Sequence, residues 1–329
     1  MANCTNAPPA VSSDSGVAGI GVLLSFIITA AVALAISASL VLQEARGRTS
    51  AQKPSILRRK LLNAYSDQQI LTGIGIQSVG LAKAKSLVPY HFFIIWMLSL
   101  LSMAVHNASL LALVHDFRRD WVLRWLRQFL IFVNLVLSSL YGIFILKAVG
   151  GEINDSTFPI ACAWEKTDGT GQPSTGNRTL SYIGTIFVIA GNVVVFVLAT
   201  WYLHSRTQRF YKIIQIGGLI LMTAISIGAV VRVSLLADAF SGNHPVSLSD
   251  GGEKQWSFGQ LLSVGMLLLP IVSIIEILRG EIKCAPPVAD FGDNKVRLLG
   301  ENELQSNPQN RGSFQPNPFF GSQTNLFKK

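Results

Sequence analysis

The chain has 329 residues, of which 50% are hydrophobic and only 14% are charged, whereas soluble domains carry about 25% charged residues. Its mean hydropathy is +0.42. The net charge of +9 does not indicate a nucleic-acid binder, because the apolar residues are gathered into long runs that require a lipid environment. The three cysteines form no CxxC or Cys/His spacing, so the sequence predicts neither a metal site nor a cofactor.

Seven apolar segments follow one another along the chain, and each predicts a membrane-spanning helix. A spanning helix needs about 20 mainly apolar residues, and we place the helices at 17–42, 70–88, 90–114, 129–146, 180–203, 213–237 and 258–278. The second is the weakest, since Lys83 and Lys85 lie near its end, where long lysine side chains reach the membrane surface. Residues 1–16 lack the basic start of a cleaved signal peptide. The predicted fold is therefore all-α, a seven-transmembrane-helix bundle over residues 17–280.

The distribution of basic residues predicts the orientation of this bundle. Most of the 27 Lys and Arg residues lie between helices 1 and 2, between 3 and 4, between 5 and 6, or after helix 7. Cytosolic loops carry such an excess, so we predict that the N-terminus is outside and the C-terminus is cytosolic. Without the helix at 70–88, the first two basic loops would face opposite sides of the membrane. The charge pattern therefore requires that helix.

The segments predicted to face outside carry sites for covalent modification. Glycosylation sequons begin at Asn3, Asn154 and Asn177, whereas the one at Asn107 falls within a predicted helix and is out of reach. Cys4 and Cys162 lie on the same side. They either form a disulfide in an oxidising compartment or remain separate thiols, because the sequence does not define the distance between them.

The last segment, residues 281–329, is rich in Pro, Asn, Gln, Gly and Ser, and we predict that it is a disordered cytosolic tail. Cys284 lies just after the last predicted helix and is a candidate for palmitoylation, with an unmodified thiol as the alternative. The Asn317-Pro318-Phe319 motif matches the short turn that endocytic adaptor domains recognise. A cytosolic adaptor is therefore a candidate partner.

Polar residues inside the predicted helices are candidates for a binding site, since such residues are costly in a bilayer. The candidates are His91, His106, Asn107, Asn192 and Arg232. In one interpretation they line a pocket for a small hydrophobic ligand. In the other, these His and Asn side chains, together with Asn134, only hydrogen-bond between helices and hold the bundle together. Arg232 either extends to the outer membrane surface or pairs with a buried group such as His91 or Glu152.

The segment Ser66-Asp67-Gln68-Gln69 opens the predicted second helix, where Ser66 or Asp67 would cap the first turn. Gly73, Gly75 and Gly80 follow it. They predict close packing of this helix against its neighbours rather than a phosphate-binding loop, because no strand precedes them.

Residues 65–73 (Tyr-Ser-Asp-Gln-Gln-Ile-Leu-Thr-Gly), the pair Tyr90-His91 and residues 106–110 (His-Asn-Ala-Ser-Leu) resemble a largely uncharacterised family of filamentous-fungal integral membrane proteins. Its members carry a similar Ser-Asp-Gln-Gln-x-x-Thr-Gly opening of helix 2, then a Tyr-His pair and a His late in helix 3. The resemblance covers residues 65–146, and the rest of the chain matches in layout. It implies a protein of a fungal plasma membrane or endomembrane. It also implies an association with secondary metabolism, since some members are encoded among secondary-metabolite genes.

No catalytic set is recognisable, so the leading hypothesis is a receptor-like or accessory membrane protein without enzymatic activity. The rival is a membrane-embedded terpene cyclase, in which a carboxylic acid kept neutral by an apolar pocket protonates an olefin or epoxide. The acids available for that role are Asp67, Asp238 and Glu276, all near the ends of predicted helices and none paired with another acid.

Overall fold

The structure, a computed structural model, describes residues 4–5, 8–45, 53–117, 121–150, 157–164, 177–204, 211–241 and 248–279. The predicted tail at 281–329, with Cys284 and the Asn317-Pro318-Phe319 motif, lies outside these residues. So do the sequons at Asn3 and Asn154 and many of the basic residues that predict the orientation. Asn177 is the first residue of a helix, and its side chain is not described.

The described residues are helical almost throughout, with no β-strand among them and one isolated bridge between Val11 and Leu248. The helices are α1 (Ile20–Ala45), α2 (Lys53–Ala82), α3 (Pro89–Ala112), α4 (Val114–Phe117), α5 (Trp121–Gly150), α6 (Asn177–His204), α7 (Tyr211–Leu236), α8 (Asp238–Ser241), α9 (Phe258–Met266) and α10 (Leu269–Leu278). A short 3-10 turn, Ile160–Ala163, lies between α5 and α6.

Six segments of the described chain are long and apolar enough to cross a membrane. They are Ile20–Ala45, Pro89–Ala112, Arg124–Gly150, Ser181–His204, Tyr211–Leu236 and Phe258–Glu276, the last of which combines α9 with most of α10. The protein is therefore an all-helical, multi-pass integral membrane protein. The second predicted helix is not among these six.

The predicted bounds of the second helix, 70–88, are wrong. Helix α2 runs from Lys53 to Ala82, and Lys83 and Lys85 lie in the turn that follows it. Ser66 and Asp67 are in the middle of this helix and do not cap it. A polar stretch continues as a helix here because its side chains find partners on neighbouring helices, which the linear pattern does not reveal.

The other predicted helices are displaced by a few residues or extended by polar and aromatic residues at their ends, and α1 begins at Ile20 rather than residue 17. The predicted helix at 258–278 is interrupted at residues 267–268. Pro270 has no N–H to donate to the preceding turn, and Leu267 and Leu268 instead donate to the carbonyls three residues back, over 3.1 and 3.0 Å.

Helix α3 is the centre of the bundle, because it packs against α1, α2, α5, α6 and α7 and nearly all of its residues are buried. Helices in a membrane gain little from apolar burial and depend on close contact. Gly73 and Gly80 of α2 allow that contact: a Cβ at Gly73 would collide with Ser102, and one at Gly80 with Tyr141. Gly75 lies on another face, where a Cβ would meet nothing within 4 Å. The close-packing prediction thus holds for two of the three glycines.

We call the end of the bundle where α1 begins the proximal end. The N-terminal segment is attached there by a disulfide between Cys4 and Cys162, whose Cα atoms are 5.6 Å apart. The 3-10 turn that contains Cys162 binds the turn between α2 and α3, since the Ile160 amide donates to the Leu87 carbonyl over 2.8 Å. These contacts hold the N-terminal segment, the α2–α3 turn and the 3-10 turn together.

Candidate functional site

A fully buried carboxylate lies at the proximal end of the bundle. Glu253, in the loop before α9, is 0% exposed. Its Oε2 accepts a hydrogen bond from the Tyr90 hydroxyl over 2.9 Å, and its Oε1 lies 2.9 Å from Nε2 of His91. Its backbone carbonyl accepts from the amide of Ile20, one of the free N–H groups at the start of α1. Glu253 therefore joins the loop to α1 and α3 at once.

Tyr90 extends this cluster to a second acid. Its hydroxyl accepts a hydrogen bond of 2.9 Å from the backbone N–H of Asp238, at the start of α8, while it donates to Glu253. The Asp238 carboxylate, 6% exposed, pairs with Lys254 over 3.2 Å. We call Tyr90, His91, Asp238, Glu253 and Lys254 the proximal cluster. Both Glu253 oxygens have partners, so the cluster acts as an anchor among α1, α3, α8 and the loop.

A second polar group, the central network, consists of Ser66 and Gln77 of α2, Ser102 and His106 of α3, and Asn134 of α5. All five side chains are fully buried. The Ser102 hydroxyl is its centre: it donates to the Gln69 carbonyl over 3.1 Å and accepts from Asn134 over 3.1 Å. Gln77 in turn donates to Asn134. The network therefore joins three helices through buried polar side chains.

The hydrogen bonds around His106 indicate its protonation. Nε2 lies 3.0 Å from the Ser102 hydroxyl, whose proton is already donated to Gln69, so Nε2 carries the hydrogen. Nδ1 lies 3.4 Å from the hydroxyl of Ser66, which in turn lies 3.1 Å from the Ser109 hydroxyl. Nε2–H therefore donates to Ser102 of the same helix, while Nδ1 contacts Ser66 and so joins α3 to α2.

The five residues predicted to form a binding site are not brought together. His91 and His106 are fifteen residues apart on α3, or about 22 Å along the helix, and belong to the proximal cluster and the central network respectively. Asn107 faces the other side of α3 and donates to the Met222 sulfur over 3.3 Å. Asn192 donates to the Val188 carbonyl of its own helix. The Arg232 side chain is exposed, four residues before the end of α7, while Glu152 lies outside the described residues.

An ion pair also joins α2 and α5. Arg127 of α5 pairs with Asp67 and also donates to Asn63, both on α2. Its guanidinium carbon lies 4.8 Å from the ring centre of Phe117. Asp67 is 53% exposed, so this ion pair is at the surface and contributes little to stability.

The structure contains a groove of about 270 Å³ bounded by α1, α2, α9 and the turn before α1. Its lining residues are apolar except for Thr72, Ser263 and an ion pair between Asp14 and Lys83. None of the three acids considered for catalysis, Asp67, Asp238 and Glu276, lines this groove, and neither does Glu253. In the described part of the chain, no three His, Cys, Asp or Glu side chains are placed to hold a metal ion.

Asp250 links the N-terminal segment to the loop before α9. It accepts a hydrogen bond of 2.9 Å from the backbone N–H of Ser13, and the adjacent bridge joins Val11 to Leu248. Hydrogen bonds from the side chain and backbone of Ser13 hold the pKa of Asp250 below its usual value of 3.8. The proximal surface therefore contains a carboxylate whose charged form is favoured by folding.

Glu253 is not among the residues that the sequence pattern singles out. Glu253 lies in a polar loop, after two glycines and before Lys254. Nothing in this local pattern distinguishes it from an acid that is exposed to solvent. The Tyr90-His91 pair was singled out, but its partner is 162 residues away along the chain. Glu253 and His91 come into contact only in the folded protein.

Comparison with protein-family models, with curated proteins and with solved structures finds no match to this chain. The function must therefore be inferred from the positions and contacts of the residues in the structure.

Proposed function

We propose that this chain is a seven-span membrane protein with its N-terminus outside the cytosol, and that it acts as a receptor-like or accessory protein rather than as an enzyme. The proposal has two parts, the topology and the absence of catalysis. Each is supported by a different observation and has its own test.

The topology is supported by the two ends of α2. Near its start, Arg58 donates to Ser39, close to the end of α1, over 3.3 Å. Just after its end, Lys83 pairs with Asp14, just before α1, over 2.7 Å. Helix α2 thus runs antiparallel to α1 along the whole bundle. Its 30 residues extend about 45 Å, more than the roughly 30 Å of a bilayer core.

Reporter tags after Pro9 and Gln323 test the orientation. Seven spans place the two tags on opposite sides of the membrane, with the first outside. Removal of all three sequons that are predicted to face outside, by Asn3→Gln, Asn154→Gln and Asn177→Gln, should also eliminate a glycosidase-sensitive mass shift. Tags on the same side would reject the seven-span topology.

The absence of catalysis is supported by one observation: the apolar groove and the buried carboxylates Asp238 and Glu253 are separate. The groove is lined by apolar groups and one ion pair. The buried acids Asp238 and Glu253 are at other positions and bonded to protein partners. An apolar site without a reactive group is suited to binding.

A ligand that acts through this bundle should change hydrogen exchange in α3 and α7, the two helices with the most extensive mutual packing. The measurement is made on the protein in lipid discs, with and without each member of a panel of hydrophobic compounds. No change with any member would favour an accessory role over a receptor-like one.

The rival function, a membrane-embedded terpene cyclase, is favoured by the complete burial of Glu253. If Glu253 were the acid, membranes that contain the protein would cyclise a prenylated substrate, and Glu253→Gln would abolish the product. We expect no product in either case. A cyclised product that requires Glu253 or Asp238 would reverse the proposal.

Three further elements rest on the sequence alone. The resemblance to fungal membrane proteins supports a place in a fungal plasma membrane or endomembrane and a link to secondary metabolism. The Asn317-Pro318-Phe319 motif supports an endocytic adaptor as partner, and Cys284 supports a palmitoyl anchor. Pull-down with an adaptor domain, compared between the natural chain and Phe319→Ala, tests the partner.

A further inference from the structure

The groove between α1, α2 and α9 combines apolar walls with a charged rim. The wall residues include Val22, Phe26, Ile76, Val79, Leu262 and Met266. The rim carries Asp14 and Lys83, whose carboxylate and ammonium groups lie 2.7 Å apart. From this arrangement we propose that the groove binds a single-chain zwitterionic amphiphile of the lysophospholipid type. Its hydrocarbon chain lies along the walls, its phosphate at Lys83 and its ammonium group at Asp14.

The size of the groove suits a ligand with one hydrocarbon chain. Its volume of about 270 Å³ is slightly below the roughly 300–1,000 Å³ of small-molecule sites. This volume corresponds to part of one hydrocarbon chain, so an amphiphile with a single chain matches the groove better than a phospholipid with two. Val79 and Leu262 are 48% and 49% exposed, so the groove is open at the side of the bundle, where lipid chains are.

Gly75 creates part of this space. It is exposed on α2 and lines the groove, and a Cβ built on it would meet no atom within 4 Å. Gly73 and Gly80 of the same helix have no such space, because Ser102 and Tyr141 occupy it. The absence of a side chain at residue 75 therefore serves no helix contact and leaves room beside the bundle.

The rim determines the headgroup. Lys83 directly follows α2 and is 48% exposed, whereas Asp14 is 21% exposed and also accepts the Gly16 amide over 3.2 Å. An exposed ion pair is weak, so a headgroup can replace it. A cation and an anion side by side complement a zwitterion, whereas an anionic headgroup would be repelled by Asp14 and a cationic one by Lys83. This inference rests on the membrane-spanning part of the proposed function and not on its orientation or receptor-like role.

Photo-crosslinking tests the site. The full-length protein in lipid discs is exposed to lysophosphatidylcholine with a diazirine in its chain, and crosslinked peptides are identified by mass spectrometry. Lysophosphatidic acid and a long-chain alkylammonium with the same diazirine serve as the anionic and cationic probes. We expect crosslinks in α1, α2 and α9, with the zwitterionic probe preferred over either other probe by about tenfold, the effect of one good polar interaction.

Two glycine variants form a matched pair. Gly75→Leu fills the groove and should lower crosslinking about tenfold. Gly228→Leu adds the same side chain on α7, where Gly228 is also exposed and has nothing within 4 Å of its Cβ, and should leave it unchanged. Asp14→Asn and Lys83→Gln should each remove the preference for the zwitterion.

Crosslinks spread evenly over all helices, or insensitive to Gly75→Leu, would overturn the site. A preference for the anionic or the cationic probe would overturn the headgroup assignment. Reporter tags on the same side of the membrane would reject the proposed topology and leave the crosslinking pattern intact. The two failures are therefore distinguishable.

Discussion

Nε2 of His91 lies 2.9 Å from Oε1 of Glu253, and the two side chains are only 1% and 0% exposed. His91 is in the first turn of the central helix α3, whereas Glu253 belongs to the loop before α9. The contact therefore fastens that loop to the centre of the bundle. A buried polar group that loses its partner pays its full desolvation cost.

Glu253→Ala should lower the free energy of unfolding by about 3 kcal/mol, because it leaves the His91 and Tyr90 side chains buried without an acceptor. Glu253→Gln retains an acceptor and should cost about 1 kcal/mol. Thermal unfolding of the purified protein in detergent measures both, and Glu276→Ala on α10 should change stability by less than about 0.5 kcal/mol. Equal losses for the Ala and Gln variants at Glu253 would contradict the anchoring role.

Gly73→Ala should destabilise the protein by about 1–3 kcal/mol, since the new methyl group would displace Ser102 of α3. Gly75→Ala should be neutral or slightly stabilising, because alanine is the better helix former and the space is open. The same unfolding measurement compares them. Similar effects of the two substitutions would show that α2 does not approach α3 as closely as described.

Ser102→Ala should cost about 1–2 kcal/mol, because it removes the hydroxyl that joins His106, Asn134 and the Gln69 carbonyl. The control is Ser263→Ala, which removes a hydroxyl that donates only to Gly259 of its own helix. If both variants unfold at the same temperature, the central network does not stabilise the bundle.

Loss of the disulfide, through Cys4→Ser or Cys162→Ser, should lower stability by about 2–4 kcal/mol. In the natural chain, neither cysteine should react with a maleimide until a reductant is added. Immediate labelling of Cys4 would show that the bond is not formed in the cell, and would also weaken the assignment of the N-terminus to an oxidising compartment.

Asp250 should make stability depend on pH in the acidic range. Its pKa is lowered in the folded protein by hydrogen bonds from Ser13, so its contribution is complete above the unfolded pKa of about 3.9. The contribution is lost as pH falls through the lower folded value. The melting temperature of Asp250→Asn should therefore be below that of the natural chain at pH 6, and the difference should shrink as pH is lowered through the acidic range. A constant difference across this range would exclude ionisation as the cause.

The second helix shows where prediction from the sequence failed. Residues 53–69 are rich in charged and polar side chains, so their pattern indicates a loop, yet they continue α2. Ser66 contacts His106, and Asp67 pairs with Arg127. These partners lie on α3 and α5. The hydropathy pattern of one segment contains no information about contacts with other helices.

The candidate binding site also depends on contacts between helices that the sequence pattern does not contain. Polarity singles out five side chains that are unusual inside a membrane: His91, His106, Asn107, Asn192 and Arg232. Polarity alone does not reveal which of these side chains face each other in the folded bundle. The groove, in contrast, is lined mainly by apolar residues and by Gly75, which polarity alone would never select.

The sequence by itself determined that this is an all-helical membrane protein and where six apolar segments lie, because transfer into lipid depends on the sum of local side-chain hydrophobicities over about 20 residues. Only the tertiary structure decided that Glu253 meets Tyr90 and His91, that Ser102 unites three helices, and that a space remains beside Gly75. These features depend on short-range contacts between residues far apart in the chain. Such contacts arise from the packing of whole helices, and no local composition encodes them.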